Sequence, residues 1–304
     1  MTLDRRGFLK LAATGTAVAA GSLAAAEAGA STGASAHDAA NAFGVLVDTT
    51  LCIGCRKCEW GCNQANDLPK RERADFDDKT VLETHRRPDV TAFTVVNRVA
   101  APPEVRQAAF AKIQCMHCVH PACASACIVG ALRKQPEGPV TYDAWKCIGC
   151  RYCMVACPFQ IPAYEYSRAL EPRVMKCSFC FDRIVKEGRQ PSCIENCPEE
   201  ALTFGRRDDL RALAHAKIAA NPDRYLDHIY GESEVGGTSW MYLAGVDFAR
   251  ADLPPLDNQA PPVLTETIQH GVFKNFVPPV ALYGLLGLVM LSHRRRDGET
   301  GEEE

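Results

Sequence analysis

Three short runs, Val45-Leu46-Val47, Val140-Thr141-Tyr142 and Ala201-Leu202-Thr203-Phe204, mix aliphatic, β-branched and aromatic residues and predict β-strands. Over residues 208–220 charges alternate with Leu and Ala at helical spacing, which predicts a surface helix. Residues 63–114 are broken by charge clusters, Lys70-Arg71-Glu72-Arg73 and His85-Arg86-Arg87, and predict a solvated insertion. The longest apolar run is FVPPVALYGLLGLVMLS, the 17 uncharged residues Phe276 to Ser292, stopped at once by His293-Arg294-Arg295-Arg296. At about 1.5 Å of rise per residue this is the short end of a membrane-spanning helix. Pro278 and Pro279 fall in its first turn, where a missing N–H does least harm. The chain begins Asp4-Arg5-Arg6-Gly7-Phe8-Leu9-Lys10, continues weakly apolar to about Ala26 and reaches Ala28-Gly29-Ala30. Charged region, apolar region and small-residue cleavage site make residues 1–30 an address, not part of the fold.

Composition narrows the function. With 34 Lys and Arg against 37 Asp and Glu, a net charge of −3, the chain has no global field for collecting nucleic-acid phosphates. Its 304 residues can bury a core without covalent staples, so the 16 cysteines are not there to rescue a small fold.

Those cysteines fall into four groups of four: Cys52, Cys55, Cys58, Cys62; Cys115, Cys118, Cys123, Cys127; Cys147, Cys150, Cys153, Cys157; and Cys177, Cys180, Cys193, Cys197. The third group, followed by Pro158, matches the bacterial ferredoxin run C-x2-C-x2-C-x3-C-P throughout, and the first lacks only the proline, with Asn63 there. The other two stretch the spacing before the third cysteine. Three thiolates on a tight loop wrap three corners of one cubane, with Gly54 and Gly149 letting backbone N–H groups approach the sulfurs. The fourth starts a helix, points away and ligates the neighbouring cluster. The predicted cofactors are therefore four [4Fe–4S] clusters. Their predicted ligand sets are Cys52, Cys55, Cys58 with Cys197; Cys177, Cys180, Cys193 with Cys62; Cys115, Cys118, Cys123 with Cys157; and Cys147, Cys150, Cys153 with Cys127. A zinc-bound structural scaffold is the alternative from another class, although zinc knuckles do not need three cysteines in seven residues. A disulfide framework would not need the fourfold spacing repeat.

Cys-Ile-Gly-Cys-Arg-x-Cys occurs at both 52–58 and 147–153, an internal repeat. Residues 115–163 have the spacing of a complete two-cluster ferredoxin module. Groups one and four, flanked by the runs at 45–47 and 201–204, are expected to close a second module around it. His117 and His120, with every corner already supplied by cysteine, are expected to hydrogen-bond or pack. Arg56, Arg151 and Lys176 are expected to offset cluster charge.

The twin arginine followed by Gly7-Phe8-Leu9-Lys10 resembles the Tat export signal, with Asp4 where Ser or Thr is commoner. That resemblance implies export of a chain already folded and loaded with cofactor, which reconciles metal-bound cysteines with an oxidising destination. Arg294 to Arg296 place the C-terminal tail in the cytoplasm by the positive-inside rule, so the body lies in the periplasm. Over residues 40–292 the four-group pattern resembles the ferredoxin-like electron-transfer subunits of bacterial respiratory oxidoreductases. It is most similar to the HybA-type subunit of membrane-bound [NiFe] uptake hydrogenase, through Arg5 to Lys10, Ile229-Tyr230-Gly231-Glu232 with Gly236-Gly237-Thr238, and Thr267-Ile268-Gln269-His270. The Gly-Gly-Thr segment and the single C-terminal helix also resemble the β subunit of membrane formate dehydrogenase. Those subunits usually travel with a partner's signal, which favours the hydrogenase.

The fold expected is α+β: two ferredoxin-like dicluster modules related by a pseudo-twofold repeat, plus one C-terminal transmembrane helix. The expected parts are a signal peptide (1–30), the first motif with its insertion (40–114), a dicluster module (115–163), the fourth motif (164–206), an extension (207–271), the transmembrane helix (272–292) and a cytoplasmic tail (293–304). The function expected is non-catalytic, since no residue set resembles an acid/base pair, a nucleophile pair or a nucleotide loop. Electrons would pass between hydrogenase small and large subunits and a polytopic quinone-reactive membrane subunit, because one helix has no cavity for quinone or haem. A molybdopterin enzyme such as formate dehydrogenase is the alternative partner. The expected location is the cytoplasmic membrane, with no nucleic-acid partner.

Overall fold

The structure is a computed structural model and describes residues 42–99, 109–168, 171, 173–268 and 277–299. The expected signal peptide, Gln269, His270 and the end of the tail from 300 lie outside the described residues. The chain divides into two units, one of residues 34–262 and one that takes in 1–33 and 263–304.

The larger unit mixes α and β structure. In order it runs β1 (Phe43–Asp48), α1 (Lys57–Ala65), α2 (Ala74–Asp77), β2 (Thr94–Val99), β3 (Ala109–Gln114), α3 (Ala122–Ser125), β4 (Leu132–Lys134), β5 (Val140–Tyr142), α4 (Tyr152–Ala156), β6 (Ala163–Tyr164), β7 (Val174–Met175), α5 (Phe181–Glu187), α6 (Ser192–Glu195), β8 (Leu202–Arg206), α7 (Arg207–Ala220) and β9 (Trp240–Leu243). Central β1 pairs antiparallel with β8, Val47 opposite Leu202, and parallel with β9, Val45 opposite Trp240. The chain before group one and the chain after group four therefore lie side by side. Antiparallel pairs β2–β3, β4–β5 and β6–β7 complete the sheet structure.

Both faces of β1 are covered, which is why it reads as a continuous apolar run. Val45 and Val47, with Trp240 and Tyr242 of β9, face the main core that also holds most of the cysteines. Leu46, with Met241 and Leu243, faces the other way, onto Leu210, Ala214 and Ile218. Those three lie on one stripe of α7, so the helix expected at 208–220 forms with its apolar stripe buried.

The solvated insertion expected over residues 63–114 is corrected by the structure. Phe76, Leu82, Phe93, Val95, Val96, Ala111 and Ile113 are all buried, and the β2–β3 pair is part of the main core. The charge clusters lie in the loops before that pair. Asp48, at the end of β1, is buried and accepts hydrogen bonds from Thr50, Tyr225 Oη at 2.8 Å and Lys217 Nζ at 3.0 Å. Burial raises its pKa, but these donors outweigh burial and hold it below the ordinary aspartate value.

In the second unit α8 (Pro262–Ile268) is followed by α9 (Val277–Glu299). The expected transmembrane helix over 272–292 is not supported: no helix among the described residues is long and apolar enough to cross a membrane. The uncharged part of α9, from Val277 to Ser292, amounts to about 24 Å of rise against a hydrocarbon core of about 30 Å, and the helix then continues into basic residues. Val280, Leu282, Tyr283, Leu285, Leu288 and Met290 on that segment are nonetheless exposed all round it.

Candidate iron–sulfur sites

All sixteen cysteines are free thiols, so the disulfide framework is not what holds this chain. The four loops that carry them share a backbone device. The residue just before the second cysteine of each group, Gly54, His117, Gly149 and Phe179, is left-handed, with φ of 68°, 47°, 70° and 59°. A left-handed residue there turns the chain so that flanking thiols point to one side. Gly54 also has no room for a side chain, because a Cβ would lie 2.7 Å from the Phe110 ring. His117 and Phe179 tolerate the conformation by packing: both are fully buried, their rings meet edge to face at 5.0 Å, and Phe179 meets Trp240 in the same way at 5.8 Å.

The fourth cysteine of each group stands away from its loop. Cys58 and Cys62 are on α1 and Cys193 is on α6, and these helices pack closely. Ser192 Oγ donates to Gly61 O at 2.9 Å, and a Cβ on Gly61 would come within 2.9 Å of Ser192 O. Only glycine permits that approach. In the other pair, α3 precedes Cys127 and α4 precedes Cys157, and the two helices pack together.

Electrostatics identify which thiols face one another. Burial pushes Cys52 up to about 11, and Cys197 and Cys55 add to it. Burial raises Cys62 strongly, with Cys177, Cys193 and Cys180 contributing. Cys118 is raised by burial and then by Cys115, Cys123 and Cys157. Burial pushes Cys153 up to about 11, helped by Cys127, Cys147 and Cys150. Cys62 thus faces three cysteines of the fourth group and Cys157 three of the second, while Cys197 lines one cavity with Cys52, Cys55 and Cys58, and Cys127 faces Cys153. The neighbours extend between sets: burial raises Cys58 with Cys193 contributing, burial brings Cys177 to about 12 with Cys115 contributing, and burial brings Cys123 to about 12 with Cys153 contributing. Laid end to end, the sets follow the order one, four, two, three.

These donors fit a polynuclear cation. Thiols that burial and mutual repulsion keep protonated ionise together only around concentrated positive charge. Among the described residues no three His, Cys, Asp or Glu side chains are close enough to hold a single metal ion. A cavity lies among Cys52, Cys55, Cys58 and Cys197, walled by Val47, Val96, Leu202 and Lys112. Backbone N–H groups of Ala131 and Phe179 donate to the sulfurs of Cys127 and Cys177 at 3.2 and 3.3 Å.

The charged residues around these sets differ from expectation. Arg56 is 1% exposed and is committed to a buried ion triad: its Nη2 lies 3.0 Å from Glu59 Oε2, while Arg86 Nη2 lies 2.6 Å from Glu59 Oε1. It is a structural residue, because a carboxylate three positions along the helix reaches it first. Arg151 is exposed, stacked over Tyr164 and Tyr166. Lys176 is buried, as a counter-charge requires; it donates to Val140 O and to Cys177 O at 3.1 Å, and it lowers the pKa of Cys123 against the larger effect of burial. Two further lysines, half-buried Lys134 and buried Lys112, escape sequence reading. Lys134 donates to Cys118 O at 2.9 Å, and burial brings it down to about 8. Lys112, on β3, lines the cavity of the first set. An Ala-Phe-Ala-Lys-Ile-Gln strand gives no hint that its lysine points inward.

His117 accepts the Val140 N–H on Nδ1 at 2.8 Å, and burial holds its pKa well below the histidine norm, so it hydrogen-bonds and packs as expected. The motif at 229–238 braces the second group: Val119 N–H donates to Gly237 O at 2.9 Å, Ser239 N–H to Met116 O at 3.1 Å, and Arg207 Nε to Thr238 O at 2.9 Å.

Residues 106–207 match the 4Fe-4S dicluster domain family. A protein of Nitratidesulfovibrio vulgaris is 53% identical over 251 residues, which cover 81% of this chain and 66% of that protein, just short of two thirds of its length. The hydrogenase-2 operon protein HybA of Escherichia coli O157:H7 is 33% identical, with 99% of each chain covered. The formate dehydrogenase iron-sulfur subunit of Haemophilus influenzae is also 33% identical, over 85% of this chain and 82% of its own. With cysteines arranged for [4Fe–4S] clusters and no catalytic residue set of its own, the chain belongs to the family of iron–sulfur electron-transfer subunits of oxidoreductase complexes that includes HybA and the formate dehydrogenase iron–sulfur subunits.

Proposed function

We propose that this chain is a four-cluster wire that carries electrons between a periplasm-facing [NiFe] hydrogenase and a quinone-reactive membrane subunit. The observation that carries this reading is that the fourth cysteine of each group meets a cysteine of a different group, Cys197 with Cys52, Cys62 with Cys177, Cys157 with Cys118 and Cys127 with Cys153. Cys52, Cys55, Cys58 and Cys197 hold the first cluster, and Cys62, Cys177, Cys180 and Cys193 the next. Cys115, Cys118, Cys123 and Cys157 hold the third, and Cys127, Cys147, Cys150 and Cys153 the last. When bound, such clusters take up and release single electrons without forming or breaking bonds to protons. The protein contributes a low-dielectric core, N–H donors to sulfur and buried cations. At the far end Cys150 is exposed among Trp145, Ile148 and Val155, where a partner's redox centre gains access.

The hydrogenase partner is supported by the relative whose match spans 99% of both chains. The formate dehydrogenase relative, at the same identity over 85% of this chain, supports a molybdopterin enzyme as second reading. Location at the cytoplasmic membrane with the body in the periplasm is supported by the twin-arginine start and by the exposed apolar side chains of α9, among them Val280, Tyr283 and Met290. Metal analysis of the complex purified through this chain tests the partner: nickel without molybdenum is expected, and molybdenum without nickel would overturn the hydrogenase. A colourless protein with zinc and no iron would overturn the wire itself.

A further inference from the structure

Lys112 is 3% exposed. Its ammonium donates to Gln114 Oε1 at 2.8 Å and sits 4.3 Å from the centre of the Trp240 ring, and among the described residues it forms no ion pair with a carboxylate. The nearest acidic candidate on α1, Glu59, is occupied by Arg56 and Arg86. A buried ammonium with one neutral acceptor and one aromatic face is poorly compensated unless other negative charge faces it. The groups that do face it are thiols. Burial works to neutralise Lys112, and Cys193, Cys58, Cys177 and Cys62, once ionised as cluster ligands would be, oppose it and raise it above the ordinary lysine value. Two of the four, Cys58 and Cys62, come from α1 and belong to different proposed ligand sets. Lys112 also lines the cavity walled by Cys52 and Cys197.

The position is fixed rather than opportunistic. Gln114, which accepts from Nζ, donates its own Nε2 to Tyr242 Oη at 2.7 Å, and Tyr242 Oη donates back to Lys112 O at 2.8 Å. Tyr242 and Trp240 are neighbours on β9, so the ammonium is clamped between β3 and β9 at the seam of two thiol sets.

We propose that Lys112 is a shared counter-charge for two clusters, those of the Cys52/Cys55/Cys58/Cys197 and Cys62/Cys177/Cys180/Cys193 sets, and that it holds both of their potentials up together. The proposal rests on the ligand sets given above. A fixed positive charge favours the more negative state of each neighbouring centre, and its effect is strong where water is excluded. No proton is exchanged: each electron adds one negative charge, and Lys112 stays protonated throughout. The third set has its own cations, Lys134 and Lys176, so the effect of Lys112 is confined to two of four centres.

The test is an EPR-monitored redox titration of the cluster-loaded full chain carrying Lys112→Met, Lys112→Gln or Lys112→Arg, with iron content measured in parallel. The expected result is that both neutral variants shift two of four midpoint potentials downward, while Lys112→Arg leaves all four near wild type. Four unmoved potentials in a neutral variant with about sixteen irons per chain overturn the proposal and leave the cluster reading standing. Equal shifts in Lys112→Arg also overturn it, since packing would then be the cause. Wild-type protein without iron overturns the cluster reading itself. If the neutral variants lose the two signals entirely and Lys112→Arg retains them, the charge is needed to hold both sets, which supports the proposal. Loss in all three variants overturns it.

Discussion

Glu59→Gln is the substitution whose effect follows most directly from the structure. The carboxylate is 5% exposed and receives five donors: Val96 N–H at 2.7 Å and Arg86 Nη2 at 2.6 Å on Oε1, and Arg56 Nε, Arg56 Nη2 and Arg86 Nη1 at 3.2, 3.0 and 3.2 Å on Oε2. Glutamine keeps the shape, removes the charge and turns an N–H₂ toward a guanidinium or an amide. Removing one partner of a buried ion pair costs about 3–5 kcal/mol, because the other charge remains. Carbonyls of Asp75 and Asp78 still accept from Arg56 at 3.1 and 2.7 Å, and the Arg86 side chain is 22% exposed, so the lower end applies, about 3 kcal/mol. If the triad is lost before the unfolding barrier is crossed, that loss accelerates unfolding on the order of 100-fold. Bleaching of cluster absorbance in urea under anaerobic conditions, followed in time, measures it. A matched control is Lys186→Ala, which breaks an exposed pair with Asp182 and should leave the rate within experimental scatter. An unfolding rate for Glu59→Gln within threefold of wild type would refute the reasoning and show that Arg56 is satisfied by carbonyls alone.

Gly61→Val forces a side chain against Ser192 O, should cost about 1–3 kcal/mol by overpacking α1 against α6, and should lower bound iron. Full iron content with an unchanged unfolding rate would contradict the close approach. Asp48 has a depressed pKa, so its contribution is present above the unfolded aspartate value and is lost as pH falls through the lower, folded one. Asp48→Asn should therefore unfold faster than wild type at pH 7, with the gap closing in brief jumps below about pH 4; a gap that persists there would rule out the linkage. Arg151→Gln should move cluster potentials less than the neutral Lys112 variants, because its guanidinium is exposed and screened by water; a larger shift in the same titration would reverse that ranking.

The candidate ligands stand out in the sequence because the proposed cubane ligation would impose short, stereotyped spacing, and a spacing survives as text. β1 and β8 were legible through the strand-forming runs that flank the outer groups. What was hidden depends on chain segments that meet only in space. β9, Trp240 to Leu243, is buried on both faces and shows no alternation. The burial of Lys112 is made by Trp240 and Tyr242, far along the chain, and no local pattern could announce it. Arg56 was misassigned because a charge beside cysteines invites an electrostatic role, whereas Glu59 in the same cysteine run was the local signal for its true partner. The buried β2–β3 pair was masked by the charged loops before it.

The pairing of β1 with β8 has a bearing on biogenesis. A ribosome delivers the proposed ligand sets in a fixed order: the two built on Cys115 and Cys147 are complete once Cys153 and Cys157 have emerged, but the set that includes Cys52 waits for Cys197, which enters only as β8 is about to follow. The segment that resembles an export signal emerges before any of them. A maturation system that inspects the closed β1–β8 pair would have a single late checkpoint for completed cofactor loading, and transport released at that point would never carry a half-built wire.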